Sequence, residues 1–248
     1  MRLIRNRILS ALEKKAISDD YINFVYGEIY QSFRDVYGEL TGRAPGSVLE
    51  LGAGSLSKSK EYFKKVVLSD GRPDSHYGQD NEIVAESLPF ADSEFDLIIA
   101  KDTLHHFNNV EKSLGEISRV LSPGGVFLVS EPYWSILGRI VFKFLHPERW
   151  ITKPTSLNNY STDQHEANQA ILLALTSKKY NYMIEKSGLR LQLAHSTYGI
   201  SYLLSGGLNW RSRLSFNFLS NIYMFEKRHK WLLRNFTGLN IVAIFSKL

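Results

Sequence analysis

Between Ser47 and Pro132 the chain alternates short apolar runs with segments of helical spacing, and this alternation restricts the fold more than any other feature. The runs are SVLEL (47–51), VVLSD (66–70), EIVAE (82–86), FDLIIAKD (95–102) and GVFLVSEP (125–132). Between them, SKSKEYFKK (57–65) reads as a helix. So does NNVEKSLGEISRVL (108–121), whose Val110, Leu114, Ile117 and Leu121 recur at helical intervals before SPGG breaks the pattern. Strands apolar on both faces and joined by helices build a parallel sheet covered on both sides. The sequence therefore predicts an α/β fold with a doubly wound, mostly parallel Rossmann-like sheet. Ligands of such sheets bind beyond the carboxyl ends of the strands, near the switch in strand order. The chemistry is expected just after Leu51, Leu68, Val84, Ala100 and Val129.

The flanks read differently. Residues 19–41 carry Tyr21, Phe24, Val25, Ile29, Phe33 and Val36 at helical spacing, and TGRAPG (41–46) ends the pattern. The N-terminal MRLIRNRILSALEKK alternates apolar and basic residues. Arg5 and Arg7 interrupt any secretory core, so it reads as an amphipathic helix. After Glu131, YWSILGRIVFKFLHPERW (133–150) and ANQAILLALTSKKYNYMIEKSG (167–188) read as helices, and LRLQLAHSTYG (189–199) and GLNIVAIFSKL (238–248) as late strands. No long polar linker divides the chain, so one domain is expected. It comprises an N-terminal helical segment (1–45), a core (46–132) and a helical, aromatic cap with late strands (133–248).

Composition excludes several chemistries. The 248 residues contain no cysteine, which removes disulfides, thiolate zinc sites and cysteine nucleophiles. His, Asp and Glu show no metal-ligand spacing, so no metal is expected. No segment approaches the roughly 18 apolar residues of a membrane span, and a cytoplasmic protein is expected. The net charge of +5 is uneven. Residues 200–248 hold 7 basic and 1 acidic groups (+6), whereas 46–199 hold 16 and 18 (−2). The basic tail suggests an acidic partner, either an anionic substrate or an anionic membrane at the inner face. Nucleic acid is not expected, because no nucleic-acid module is visible.

VLELGAGSLS (48–57) is a strand running into a tight turn. Gly52 and Gly54 let the backbone bend sharply and approach a ligand. The third glycine of a phosphate loop is missing. Asp70 ends the next strand, where a carboxylate suits a ribose diol. Together these favour a nucleoside ligand.

Three segments sharpen this: VLELGAGS, AESLPFADSEFDLIIAKDTLHHF (85–107) and EISRVLSPGGVFLVSEP (116–132). In this order and spacing they resemble class I S-adenosylmethionine-dependent methyltransferases, specifically the type-11 group, over roughly residues 47–132. The resemblance implies S-adenosyl-L-methionine as cofactor. It places Glu50 near the methionine amino group, and Leu51, Gly52, Ala53 and Gly54 along the methionyl and ribosyl part. Asp70 falls on the ribose hydroxyls, and Ala85 and Glu86 beside the adenine with Leu88 as packing. Lys101 and Asp102 form pocket wall near the methionine end. Two departures stand out. Val84 occupies a place where the family often has an acid, with Asp80 a substitute, and the span before Ile83 is too short and polar for the usual helix.

Methyl transfer from a sulfonium is an in-line displacement, so the protein chiefly has to align the acceptor and exclude water. A hydroxyl acceptor also benefits from a base. The candidates are His105 and His106 after the fourth run and Glu131 at the end of the fifth; each also suits packing or capping. His146 and His165 lie in the variable region. The expected acceptor is a small or lipid-linked molecule. A softer echo of surface-polysaccharide methyltransferases suggests a saccharide hydroxyl or carboxyl, with Tyr133, Trp134, Trp150, Tyr202 and Trp210 stacking on sugar and Arg211 and Arg213 holding an anion. The same aromatics equally suit the core of the cap. Two other readings are a non-catalytic protein that binds cofactor or partner, and a nicotinamide oxidoreductase. The missing glycine and the LPF…FD segment oppose the latter.

Overall fold

Asp19 opens the first described helix by accepting from the Tyr21 and Ile22 amides at 3.0 Å. Helix α1 (Asp20–Thr41) ends at Gly42, whose left-handed backbone (φ 69°) lets its N–H reach the Gly38 carbonyl. This computed structural model describes residues 18–70, 83–145, 171–207 and 212–248. The expected N-terminal amphipathic helix, Asp80, His146, Trp150, His165, Trp210 and Arg211 lie outside the described residues.

Six strands form one sheet: β1 (Val48–Leu51), β2 (Val66–Ser69), β3 (Phe95–Lys101), β4 (Leu121–Pro132), β5 (Leu189–Ser196) and β6 (Asn240–Lys247), in the order β2-β1-β3-β4-β6-β5. Strands β2, β1, β3 and β4 are parallel, whereas β6 runs antiparallel to both β4 and β5. From β1 the chain first moves outward to β2. It then returns to the other side of β1 for β3, so the order switches between β1 and β3. This is the mostly parallel α/β architecture that the alternating runs predict.

The pleat sorts the core. Leu49, Leu51, Ile98, Ala100, Phe127 and Val129 point to one face. There they meet Val110, Leu114 and Ile117 of α3 (Val110–Val120) and Ile171, Leu172 and Leu175 of α5 (Ile171–Leu175). Val48, Leu97, Ile99, Val126 and Leu128 point to the other face. They meet Val25, Ile29, Phe33 and Tyr37 of α1 and Leu219 and Tyr223 of α8 (Phe216–Arg228). The remaining helices are α2 (Ser59–Tyr62), α4 (Ile136–Phe144), α6 (Asn181–Lys186) and α7 (Ile200–Ser205).

One arginine explains why the LPF and RVLSPGG segments travel together. Arg119 donates to the Leu88 and Phe90 carbonyls (2.9 and 2.8 Å) and to Asp92 and Glu116. Glu116 in turn accepts from the Leu88 amide at 2.9 Å. Helix α3 thereby fixes the loop before β3.

Four sequence expectations are corrected. Residues 83–86 form no strand; Ala85 and Glu86 lie in a turn closed by the Ser87 amide on the Val84 carbonyl, and Glu86 is drawn to the Asn108 and Asn109 amides instead of a ladder. SPGG does not separate helix from strand: β4 already starts at Leu121, and residues 122–125 bulge between the Phe95–Leu121 and Leu97–Val126 pairs. The helix expected at 57–65 shrinks to α2, because Phe63 is already extended (φ −129°, ψ 153°) and Lys65 then takes a positive φ of 49° where the chain turns into β2. The helix expected at 167–188 breaks after Leu175. There the Thr176 and Ser177 hydroxyls turn back onto the Leu173 and Ala174 carbonyls.

Phe127 is fully buried in the central strand β4 and stacks on Phe245 of β6 at 5.8 Å. Phe127→Ala is expected to cost about 3–5 kcal/mol and Phe127→Leu much less, read by urea unfolding; equal losses would show that ring volume is not what the core uses.

Candidate active site

The carboxyl ends of β1, β2, β3 and β4 share one edge of the sheet. Strand β1 ends in Glu50 and Leu51 and turns through Gly52 (φ 64°) and Gly54 (φ 56°), the backbone region that favours glycine. A Cβ on Gly52 would run into the Thr103 side chain. The Thr103 hydroxyl lies between the Lys101 carbonyl at 3.0 Å and the Gly52 carbonyl at 3.2 Å, and can donate to either. The Ala53 amide donates to the Ser69 carbonyl at 2.9 Å, which ties the turn to β2. Asp70 follows directly and is buried, so two carboxylates, Glu50 and Asp70, flank the glycine turn.

Glu50 is 1% exposed. It accepts from the Tyr30 hydroxyl of α1 and from Ser57 at 2.5 Å. Burial pushes its carboxyl up from the ordinary value, against the pull of the Ser57 and Tyr30 hydroxyls and of Lys101. Burial, and then the neighbouring Glu50 carboxylate, hold the Tyr30 phenol well above its usual range.

Beyond β3, Asp102 adopts φ 51° and its amide donates to the Ser130 carbonyl at 2.8 Å. Lys101 is buried, pairs with Asp102 at 2.5 Å, and lies 3.6 Å from the centre of the Tyr26 ring. Tyr198 and Tyr202 lie nearby with tilted rings whose centroids are 4.7 Å apart. Burial raises the phenols of Tyr26, Tyr198 and Tyr202, and the Asp102 charge adds to the rise. These three phenols stay protonated at neutral pH, so they can donate a hydrogen bond but not remove a proton.

Glu131, at the end of β4, is 1% exposed. One of its oxygens accepts from the Thr103 and Leu104 amides at 2.9 and 2.6 Å. The other meets His105 Nδ1. The His105 and His106 rings lie 4.2 Å apart in the single 3-10 turn Leu104–His106. Glu86 accepts from the Asn108 and Asn109 amides at 2.7 and 2.9 Å just beyond that turn, beside the buried Ala85.

Glu50, Leu51, Gly52, Ala53, Gly54, Asp70, Lys101, Asp102, His105, His106 and Glu131 therefore gather on one edge, with Ala85 and Glu86 joined to it through residues 108 and 109. Sequence reasoning named Tyr202 only as an aromatic to stack on an acceptor, and missed Tyr26, Tyr30 and Tyr198. The signal was present: Tyr26, Tyr30 and Tyr37 follow the same buried helical spacing of α1 as Tyr21, which the apolar pattern did include. Of the aromatics expected to stack on an acceptor, Trp134 is buried, in a cluster with Phe142, and Tyr133 hydrogen-bonds the Arg234 carbonyl at 2.8 Å. Arg213 is exposed. Among the described residues no cluster of His, Asp and Glu could hold a metal.

Residues 49–129 match the family described as Methyltransferase domain. This segment, about a third of the chain, is what the chain has in common with that family. The chain is 32% identical over 107 residues to the uncharacterized methyltransferase YcgJ of Bacillus subtilis, covering 37% of this chain and 42% of that protein. It is 36% identical over 109 residues to the ubiquinone/menaquinone biosynthesis C-methyltransferase UbiE of Hahella chejuensis, covering 36% of this chain and 44% of that one. The chain thus spans less than half the length of these relatives. In fold it is similar to the crystal structure of a SAM-dependent methyltransferase from Archaeoglobus fulgidus, with a TM-score of 0.53 and 16% identity over 93% of this chain and all of that one.

A buried acid whose value is raised stabilises the fold fully below its ordinary value of 4.5 and loses that contribution as pH climbs through the raised value. Glu50→Gln cannot ionise. Its stability relative to wild type is expected to improve as pH rises from 4.5 toward 8, measured by urea unfolding across that range; a pH-independent difference would mean that Glu50 is not held against its charge.

Proposed function

We propose that this chain is an S-adenosylmethionine-dependent methyltransferase acting on a small or lipid-linked acceptor. The observation that carries the reading is the acid pair Glu50 and Asp70 on either side of the positive-φ turn Gly52–Gly54, at the point where strand order switches. Asp70 suits a ribose diol, whereas Glu50 beside the turn opposes a pyrophosphate and suits an ammonium. The pair of acceptors thus fits the cofactor, and Glu50 argues against a nicotinamide dinucleotide. When bound, the cofactor supplies a methyl group already activated on a sulfonium.

The chain's own residues do the rest. Glu50 holds the ammonium with its remaining lone pairs, and Asp70 accepts from the ribose hydroxyls. Ala85 and Glu86 bound the adenine side. Lys101 and Asp102 lie beyond β3 with Tyr26, Tyr198 and Tyr202, and these phenols can donate to an oxygen of the acceptor. Both Glu131 oxygens are committed to the 103–105 backbone and imidazole, so Glu131 acts as a positioning residue. With Nδ1 on Glu131, His105 presents Nε2 as the nitrogen able to take a proton from an acceptor hydroxyl, the order of roles seen wherever a carboxylate orients a histidine base. His106, ring against ring, is the alternative. The name of UbiE points to a quinone-type carbon acceptor as a second reading; such an acceptor is lipid-linked too. Nothing about the described aromatics favours a saccharide over it.

Titration calorimetry with S-adenosylhomocysteine tests the cofactor half. Wild type is expected to bind, Asp70→Ala roughly tenfold or more weaker, through lost charge-assisted hydrogen bonds of about 1.5–3 kcal/mol. Undiminished binding by Asp70→Ala, or a response to nicotinamide dinucleotide alone, would overturn the reading. For the chemical half, His105→Gln is expected to slow turnover ~10²–10⁴-fold at unchanged cofactor affinity if the acceptor is a hydroxyl. Full activity would remove His105 as the base.

A further inference from the structure

Helix α4 is amphipathic in an unusual sense: its apolar stripe faces outward. Ile136, Ile140 and Phe144 recur every four residues and are 58%, 51% and 70% exposed. Arg139 and Lys143 are exposed beside them, and Lys143 Nζ lies 5.1 Å from the Phe144 ring centre. The opposite side of the helix, at Gly138 and Phe142, is buried.

A second exposed strip adjoins it. Residues Lys230–Leu232 form a short helical turn that continues into a π-turn at Leu233–Thr237, and this turn packs on α4. Trp231 and Phe236 meet edge to face at 6.2 Å and are 60% and 46% exposed. Lys230 and Arg234 are exposed among them. Neither 133–145 nor 227–248 contains a single acid.

Both strips emerge at the same edge of the sheet. Helix α4 follows the end of β4, the π-turn precedes the start of β6, and Pro132 pairs with Asn240 across the two strands. That is the edge carrying Gly52, Lys101 and the tyrosines.

Exposed Ile, Phe and Trp interleaved with Lys and Arg, without acids, match a bilayer interface: the apolar side chains enter the acyl boundary while the cations meet anionic headgroups. A protein partner of this face would have to be both apolar and acidic, whereas an anionic membrane is both over its whole surface. From this combination we infer that α4 and residues 230–236 form a docking face for anionic membrane, which sets the site against the bilayer and selects a lipid-embedded acceptor. The inference rests on the methyltransferase reading only for that last step; the docking itself does not.

Co-sedimentation of the full chain with vesicles tests it. Phosphatidylcholine vesicles containing phosphatidylserine are expected to pellet the wild type, pure phosphatidylcholine vesicles much less, and the difference to shrink as salt shortens the screening length. The variant Lys230→Glu/Arg234→Glu is expected to lose roughly an order of magnitude or more of the affinity, and Ile140→Glu/Phe144→Glu to lose it as well. S-adenosylhomocysteine affinity should stay at the wild-type level in both, which shows that the site and fold survive. Equal binding to both vesicle types, no vesicle binding, or undiminished binding by both variants would overturn the inference. So would a wild-type dimer in sedimentation velocity that Ile140→Glu/Phe144→Glu dissociates, since the face would then belong to a second copy. Loss of homocysteine-ligand binding by wild type would strike the methyltransferase reading and leave the docking result standing.

Discussion

The buried Glu131 carboxylate is the junction on which the site depends. It stands at the end of β4 and collects the Thr103 and Leu104 amides and the His105 ring from the segment beyond β3. Thr103, held in this way, reaches across to the Gly52 carbonyl. Three strand ends are thereby locked by one carboxylate and one hydroxyl. A buried carboxylate is tolerated only where its oxygens are satisfied, and here three donors satisfy it. Any group that removed Glu131 would leave two backbone amides and an imidazole without their acceptor, so the cost would reach the glycine turn two contacts away.

A second junction closes the site from the N-terminal side. Helix α1 lies across the sheet, and its Tyr30 donates to Glu50 while Tyr26 stacks over Lys101. The short α2 approaches α1 closely: a Cβ on Gly27 would lie 2.8 Å from the Tyr62 hydroxyl. The helix is therefore more than packing for the core; it supplies phenols to both ends of the acid-lined edge. The C-terminal part contributes likewise through Tyr198 and Tyr202. Buried Glu226 holds the start of α7, where Tyr202 sits, by accepting from the Ile200 amide and the Ser201 hydroxyl at 2.6 and 2.5 Å.

The parts of this design that depend on periodicity were legible in the sequence. The parallel strands β1 to β4 and the glycine turn follow from continuous apolar runs and from residue types with few alternatives. The antiparallel β6 wedged beside β4 was not legible as such: the apolar run Ile241–Phe245 identifies a strand but carries no sign of its direction or neighbour. Residues 83–86 misled because Ile83, Val84 and Ala85 look like strand, while Glu86 has a stronger use for the Asn108 and Asn109 amides. The site roles of Tyr26 and Tyr30 were not legible in the helical pattern that includes Tyr21. Their burial is decided by tertiary partners, Glu50 and Lys101, that lie 20 to 75 positions away along the chain. Glu131 could be placed at a strand end from sequence, but its capping role needed the fold of residues 103–105 beside it.

The proposed function requires this edge to transfer methyl groups and not merely to bind the cofactor. The most direct measurement supplies the full chain with methyl-labelled S-adenosylmethionine and separate aqueous and organic-phase fractions of a bacterial extract. Label appearing in an organic-soluble product, and absent without the protein, is the result expected. Tight binding of S-adenosylhomocysteine with no labelled product in either fraction would contradict the claim and leave a cofactor-binding protein on a methyltransferase fold.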